Sequence, residues 1–194
     1  MKIQFPNIAI VGTGAMGRGI AQIAAQAGSK VFLLDANPGA ADAARAALQE
    51  QWNKLVAKGR IEADQATALT ARLHPVTTVA QLAACDLVVE AIVERLDAKQ
   101  ALFVELEGVV RPDAVLATNT SSLSVTAIGA SLKRPERLAG FHFFNPVPLM
   151  KVVEVIAGLK TDPSICTALA AYAKAMGHTP VQAQDTPGFI VNHA

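Results

Sequence analysis

Only two cysteines, Cys85 and Cys166, occur in 194 residues. Neither has neighbours at metal-ligand spacing, and two cysteines do not make a disulfide framework. Both sit among apolar residues and read as small core side chains of a protein kept in a reducing cytoplasm. Charge is scarce too. Charged residues make up 17% of the chain and the formal net charge is +1, so no strong field draws in nucleic acid or an acidic membrane. No hydrophobic run reaches the length of a membrane span. The apolar stretch near the N-terminus is too short for a signal peptide and is interrupted by Pro6 and Asn7. Internal repeats are missing, as is any low-complexity tract beyond alanine-rich helix. What the chain does have is apolar substance. Hydrophobic residues reach 52%, ample for a buried core and too many for disorder, in a length that suits one large domain or one and a half small ones.

The apolar runs alternate with helical patterns. Residues 8–11 form a run that ends at Gly12, a helical pattern covers 15–27 and closes at Gly28, and a second run at 31–34 ends at Asp35. Strand, helix and strand in this order form a βαβ unit, which implies a parallel sheet. Helices are predicted over 38–58, with Gly59 as the stop, and over 62–72, followed by a short strand at 76–78. The alternation then resumes. Strands are expected at 87–91, 115–118, 138–142, 151–156 and 179–182, and helices at 95–110, 123–131 and 163–176. The fold class this indicates is α/β, a Rossmann-type doubly wound and mostly parallel sheet flanked by helices.

Gly12-Thr13-Gly14-Ala15-Met16-Gly17 is a G-x-G-x-x-G loop between the first strand and the first helix. By itself the pattern is weak. Its strand-turn-helix setting, with Asp35 closing the next strand, makes it a dinucleotide site. Gly12 serves the tight turn, Gly14 lets backbone N–H groups approach a pyrophosphate, and Gly17 lets the helix pack against the strand. The helix start, Ala15 and Met16 included, offers unpaired donors and a positive dipole. Asp35 suits the adenosine ribose hydroxyls. Ala36, Asn37 and Pro38 follow it, so no arginine waits for a 2′-phosphate, which favours NAD. The alternative for Asp35 is a cap or turn residue before Pro38.

Ligands of open α/β sheets lie beyond the carboxyl ends of the strands. Polar residues gather there: Glu90, with Glu94 and Lys99 after it; Thr118 to Ser122; and His142, with Asn145 after it. Each alone has a bland explanation as a turn or cap residue, since Ser121 or Ser122 could simply start the next helix. Their accumulation on one edge is harder to explain that way.

Five stretches in order, VGTGAMGRGIAQ, VVEAIVE, TNTSSL, GFHFFNPVPLMKVVEV and DTPGFIVN, resemble the NAD-binding domain of the L-3-hydroxyacyl-CoA dehydrogenase family over essentially the whole chain. The resemblance implies NAD-dependent oxidation of an (S)-3-hydroxyacyl-CoA to the 3-ketoacyl-CoA, in fatty-acid or aromatic-acid degradation, or the reverse reduction in butanoate metabolism. It implies His142 as the base and Glu154 as its carboxylate partner, with Ser121 and Asn192 as polar contacts near the reacting carbon. Glu94, Lys99, Ser121 and Asn145 match positions that contact the cofactor. Lys54 and Lys58, four apart on one helical face, match a region that approaches the CoA, although a solvated face is their ordinary explanation. Residues 1–186 would then be the NAD-binding domain. Residues 187–194 would begin a helical C-terminal domain that forms the other wall of the cleft and makes a homodimer. On that expectation this stretch alone is weakly active or inactive.

The pairing of His142 with Glu154 also follows from the residues. The tract 151–156 alternates as a strand, and Glu154 shares a face with Val152 and Ile156. An unpaired carboxylate there would be costly. The connection 143–150 is long enough to lay this strand beside the one that ends in His142. A hydride leaves a carbinol carbon only if the hydroxyl proton leaves as well, and histidine suits that task near neutral pH. The alternative is a core histidine bonded to backbone, with Glu154 facing solvent. His74 and His178 read as surface or turn residues, and His193 occupies a place where the family commonly has arginine. Two other functions stay in play: a related dehydrogenase of a hydroxy acid or sugar acid without CoA, and a non-catalytic NAD-binding module.

Overall fold

The computed structural model describes residues 4–186. Among them the chain alternates β1 (Asn7–Val11), α1 (Ala15–Gln26), β2 (Lys30–Leu34), α2 (Ala40–Ala57), α3 (Ala63–Ala71), β3 (Leu73–Pro75), β4 (Leu87–Glu90), α4 (Leu96–Val109), β5 (Val115–Thr118), α5 (Val125–Gly129), β6 (Leu138–Phe143), β7 (Val152–Ala157), α6 (Pro163–Ala175) and β8 (Thr179–Gln184). The strands form one sheet in the order β3-β2-β1-β4-β5-β6-β7-β8. All pairs are parallel except β6 with β7. The first six strands reproduce the 3-2-1-4-5-6 order of the doubly wound nucleotide-binding fold.

Alternation along the central strands loads both faces. In β1, Ile8 and Ile10 belong to an apolar layer shared with Ile20 and Ile23 of α1, Leu48 and Trp52 of α2 and Leu169 of α6. Ala9 and Val11 point the other way, into a layer with Phe103 and Leu106 of α4 and Ile128 of α5. Strands covered on both sides are apolar throughout, and for that reason the sequence shows runs rather than alternation at 8–11 and 87–89. Cys85 and Cys166 are buried free thiols within these layers. Burial, with the neighbouring Asp86 carboxylate, pushes the Cys85 thiol up to about 12, so it is an inert core residue.

The third strand lies three residues earlier than the sequence suggests, at Leu73–Pro75 rather than 76–78. Leu73 is the residue that fills the core beside Val31. Thr77 and Thr78 instead hand their backbone N–H groups to Gln81, starting a 3-10 turn at Val79–Leu82. His74 therefore stands in a strand and not in a turn, half-buried opposite Phe32 with ring centroids 5.6 Å apart. His178 is also not at the surface. It is 3% exposed, and its Nε2 lies 2.9 Å from the Val147 carbonyl oxygen, an acceptor that only an N–H can satisfy. The predicted helix start beyond Asp185, with Asn192 and His193, lies outside the described residues.

Candidate active site

Parallel pairing brings the carboxyl ends of β1, β4, β5 and β6 to one edge of the sheet. The glycine loop comes first. Gly12 has φ of 94°, and a Cβ there would stand 2.5 Å from the Ala91 carbonyl oxygen, so the position accepts only glycine. Gly17 is held as closely: its Cβ would lie 1.7 Å from the Gly12 carbonyl oxygen, the contact that seats α1 on β1. Gly14 differs. A Cβ there meets no protein atom within 4 Å, so its lack of a side chain does nothing for packing inside this chain. It keeps open a space in front of the α1 N-terminus, where no side chain caps the first turn.

Asp35 locks this loop. Its Oδ2 accepts from the Thr13 backbone N–H at 2.7 Å and from the Thr13 hydroxyl at 2.8 Å, and its Oδ1 accepts from the Asn37 N–H at 2.9 Å. Burial by itself would push the carboxyl up. The hydrogen bonds from Asn37 and Thr13 outweigh it and hold the group below the usual carboxylate range. Asp35 is not the cap of α2, which begins after Gly39. The role of Thr13 went unseen in the sequence; a hydroxyl inside the glycine loop facing an acid at the next strand end is the signal that could have shown it.

His142 and Glu154 meet across the antiparallel β6–β7 pair, where their Cα atoms are direct partners. His142 Nδ1 lies 2.6 Å from Glu154 Oε2, with Glu154 1% and His142 8% exposed. The phenyl ring of Phe144 sits 4.5 Å from the imidazole. Asn119, at the end of β5, accepts from the Phe143 N–H at 2.9 Å and ties the two strand ends together. His142, Ser121, Glu94, Asn145 and Met16 all line one cleft of about 330 Å³. A hollow behind α5 is lined by Leu132, Pro135 and Leu159 among others, and among the described residues Lys160 is the one ionisable side chain in that lining.

Glu94 joins two of the turns. Its Oε1 accepts from the backbone N–H groups of Ser121 at 2.9 Å and Ser122 at 3.2 Å, and from the Thr120 hydroxyl. Burial alone would raise this carboxyl; Thr120, Lys99 and Ser121 bring it below the ordinary value. Lys99 stands behind Glu94. Its side chain is 1% exposed and its amine faces inward, 2.6 Å from Glu90 and 3.3 Å from Glu94.

A family model described as the NAD-binding domain of 3-hydroxyacyl-CoA dehydrogenase matches residues 7–186. The chain belongs to the 3-hydroxyacyl-CoA dehydrogenase family. A 3-hydroxyadipyl-CoA dehydrogenase of Escherichia coli is 45% identical over 192 residues, which cover 99% of this chain and 40% of that protein. A 3-hydroxybutyryl-CoA dehydrogenase of Clostridioides difficile is 40% identical, with 96% and 66% covered. The crystal structure of (S)-3-hydroxybutyryl-CoA dehydrogenase from Ralstonia eutropha superposes with a TM-score of 0.93 at 35% identity, covering 97% of this chain and 67% of that one. The chain thus spans two fifths to two thirds of the length of these relatives.

As an NAD-binding domain of this dehydrogenase family, the chain has the features the cofactor needs. The open space at Gly14 suits a pyrophosphate on the helix start, and Asp35, partly exposed, retains acceptor capacity for ribose hydroxyls. The fold does not bring everything to the cleft. Lys54 pairs with Glu50 at 2.7 Å on the exposed side of α2, and neither Lys54 nor Lys58 lines the cleft. Among the described residues no helix is long and apolar enough to cross a membrane, and no group of acidic, histidine or cysteine residues could hold a metal ion.

Proposed function

We propose that the protein oxidises an (S)-3-hydroxyacyl-CoA to the 3-ketoacyl-CoA, with His142 as general base and Glu154 as the group that orients it. The single observation that carries this is the 2.6 Å contact between His142 Nδ1 and Glu154 Oε2 at the wall of the cleft. NAD, when bound, accepts the hydride from C3. The carboxylate holds the proton on Nδ1, so Nε2 takes the proton of the substrate hydroxyl as the C3–H bond breaks. The positive charge that develops on the ring is stabilised by Glu154, which nothing but protein surrounds. Phe144 against the imidazole keeps that exchange away from bulk water. Gly12, Gly14, Ala15, Met16 and Gly17 cradle the pyrophosphate, Asp35 binds the adenosine ribose, and Glu94, Ser121 and Asn145 meet the nicotinamide half. Ser121 and Asn192 contact the substrate near C3. Lys54 and Lys58 remain candidates for the CoA phosphates, supported only by their exposed charge.

This chain is then the NAD-binding part of a longer protein, consistent with its share of the relatives' length. Residues from 187 onward begin a helical domain that supplies the second wall of the cleft and the contact of a homodimer. The buried unbridged thiols accord with a cytoplasmic location. The test is NADH formation by the complete protein with a 3-hydroxyacyl-CoA against the free hydroxy acid. His142→Gln should lower turnover by at least ~100-fold while NAD affinity stays within about two-fold. Equal rates on the free acid would favour a dehydrogenase of non-CoA hydroxy acids, and near-normal turnover of the variant would remove His142 from its role.

A further inference from the structure

His178 is a buried polar residue that the proton transfer above does not use. It stands between the end of α6 and the start of β8 and is 3% exposed. Its ring bears on both ends of one short stretch of chain. The ring centroid lies 5.7 Å from that of Phe143, edge to face, and Nε2 donates to the Val147 carbonyl oxygen at 2.9 Å. The other ring nitrogen stands farther from its neighbour, 3.3 Å from the Met176 carbonyl oxygen, so the ring proton belongs to the Val147 contact. Among the described residues, that contact is the one hydrogen bond that reaches 144–149 from outside the connection. The N–H groups of Leu149 and Met150 donate to the Pro146 carbonyl oxygen inside it.

The connection also presses on α1. Val147 is 1% exposed, and a Cβ added at Gly19 would stand 2.8 Å from the Val147 Cβ, so the glycine is what lets the connection come this near. Between the two anchored points, Phe143 and Val147, lie Phe144 and Asn145, which line the cleft together with Met16 of α1. A phenyl ring at position 178 would pack on Phe143 as the imidazole does. It would leave the Val147 carbonyl buried without a partner, which is costly unless the connection moves out to water. Core packing alone therefore does not account for a histidine here.

We propose that His178 is a positioning residue of the cofactor cleft. Its N–H pins Val147 against α1, and so fixes where Phe144 and Asn145 stand relative to the helix start at Gly14 and to His142. It acts through the connection and not by touching the cofactor, since it does not line the cleft. This rests on NAD lying in the cleft at the strand ends.

The test uses the complete protein and is read by direct NAD titration, thermal midpoint and amide hydrogen exchange over 143–150, so that it does not depend on which substrate is oxidised. His178→Phe keeps a ring against Phe143 and removes the donor. His178→Gln returns an N–H donor at the place of Nε2. Tyr172→Phe is the control: it breaks another buried hydrogen bond of α6, the 2.7 Å contact with the Ser29 hydroxyl, which serves the Phe5 carbonyl and not the connection. Both phenylalanine variants should lower the midpoint by a few degrees, as the loss of one buried hydrogen bond does. Only His178→Phe should weaken NAD binding, by about 5-fold or more, and speed exchange across 143–150 by about 10-fold. His178→Gln should bring NAD affinity back to within about two-fold of the parent. Gly19→Ala pushes the same connection from its other side, should weaken NAD binding by a similar factor, and decides the matter if His178→Phe does not fold. Unchanged NAD affinity in His178→Phe, an equal loss in Tyr172→Phe, or a glutamine variant as weak as the phenylalanine one would each overturn the proposal. Full NAD affinity in Gly19→Ala would do the same. If turnover with acyl-CoA fails while these titrations behave as expected, the reaction assignment falls and the positioning role stands.

Discussion

His142 and Glu154 are direct Cα partners in the antiparallel pair β6–β7, twelve residues apart in the chain, and their side chains touch at 2.6 Å. Opposed residues in such a pair place side chains on the same face. The register alone therefore puts the carboxylate of Glu154 beside the imidazole of His142. Glu154→Gln keeps the size of the side chain and removes its charge. In the complete protein it should lower turnover with acyl-CoA by about 10-fold or more while NAD affinity holds. A variant with parental turnover would show that the carboxylate does not assist the histidine.

The glycines of the loop should separate by readout. Gly14→Ala meets no protein atom, so the thermal midpoint should stay within about a degree or two, while NAD affinity falls by 10-fold or more, roughly, as the methyl enters the pyrophosphate space. Gly17→Ala drives a methyl into the Gly12 carbonyl and should cost several degrees of midpoint, on the order of 2 kcal/mol or more. Loss of stability from Gly14→Ala would mean that this glycine serves packing after all.

Asp35 should discriminate between cofactors. Its carboxylate is ionised at neutral pH, held low by Asn37 and Thr13, and the residues after it bring no cation. NADP should bind at least ~10-fold more weakly than NAD, because the 2′-phosphate meets like charge. Comparable affinities for the two nucleotides would detach Asp35 from the ribose.

Asp185 makes a pH-dependent clasp. It accepts from the Val125 and Thr126 N–H groups at 2.8 Å each and from the hydroxyls of Ser124 and Thr126. Burial by itself would raise this carboxyl, and the bonds from Thr126, Val125 and Ser124 bring it below the usual carboxylate range. A depressed folded-state value means stability that is present above the unfolded value and lost as pH falls through the folded one. Asp185→Asn should therefore destabilise by about 1 kcal/mol at neutral pH, discounted for partial exposure, and flatten the decline of stability below about pH 4. Denaturant titrations at pH 7 and pH 3 check it: an equal difference between variant and parent at both would dismiss the clasp.

The order of elements was legible in the sequence, and for local reasons. A buried parallel strand writes itself as a short apolar run, a helix start as glycine or a cap, and the G-x-G-x-x-G turn with Asp35 downstream as one motif. The miss at β3 has a physical cause. Val76 is as good a strand residue as Leu73, and only the fit of Leu73 beside Val31 chose between them. His178 was misjudged for the same kind of reason. Its glycine neighbour signals a turn, while its ring is buried by the 143–150 connection, which was formed from a distant part of the chain.

By itself, then, the sequence determined the doubly wound architecture, the nucleotide loop and the pairing of His142 with Glu154. These depend on patterns within a dozen or so residues and on strands whose ends must lie on one edge. Only the tertiary structure decided which way the charged side chains at that edge face. Thr118 lies 28 residues from Glu90, and Ser121 lies 27 from Glu94. Lys99 matched a cofactor-contacting position, and nothing in the sequence showed that its amine would be buried. It became the buried centre of the site because the parallel pairing of β4 with β5 brings a carboxylate and a hydroxyl together beneath α4. In that enclosed place a lone charge is unaffordable, and the ammonium stays where two carboxylates surround it.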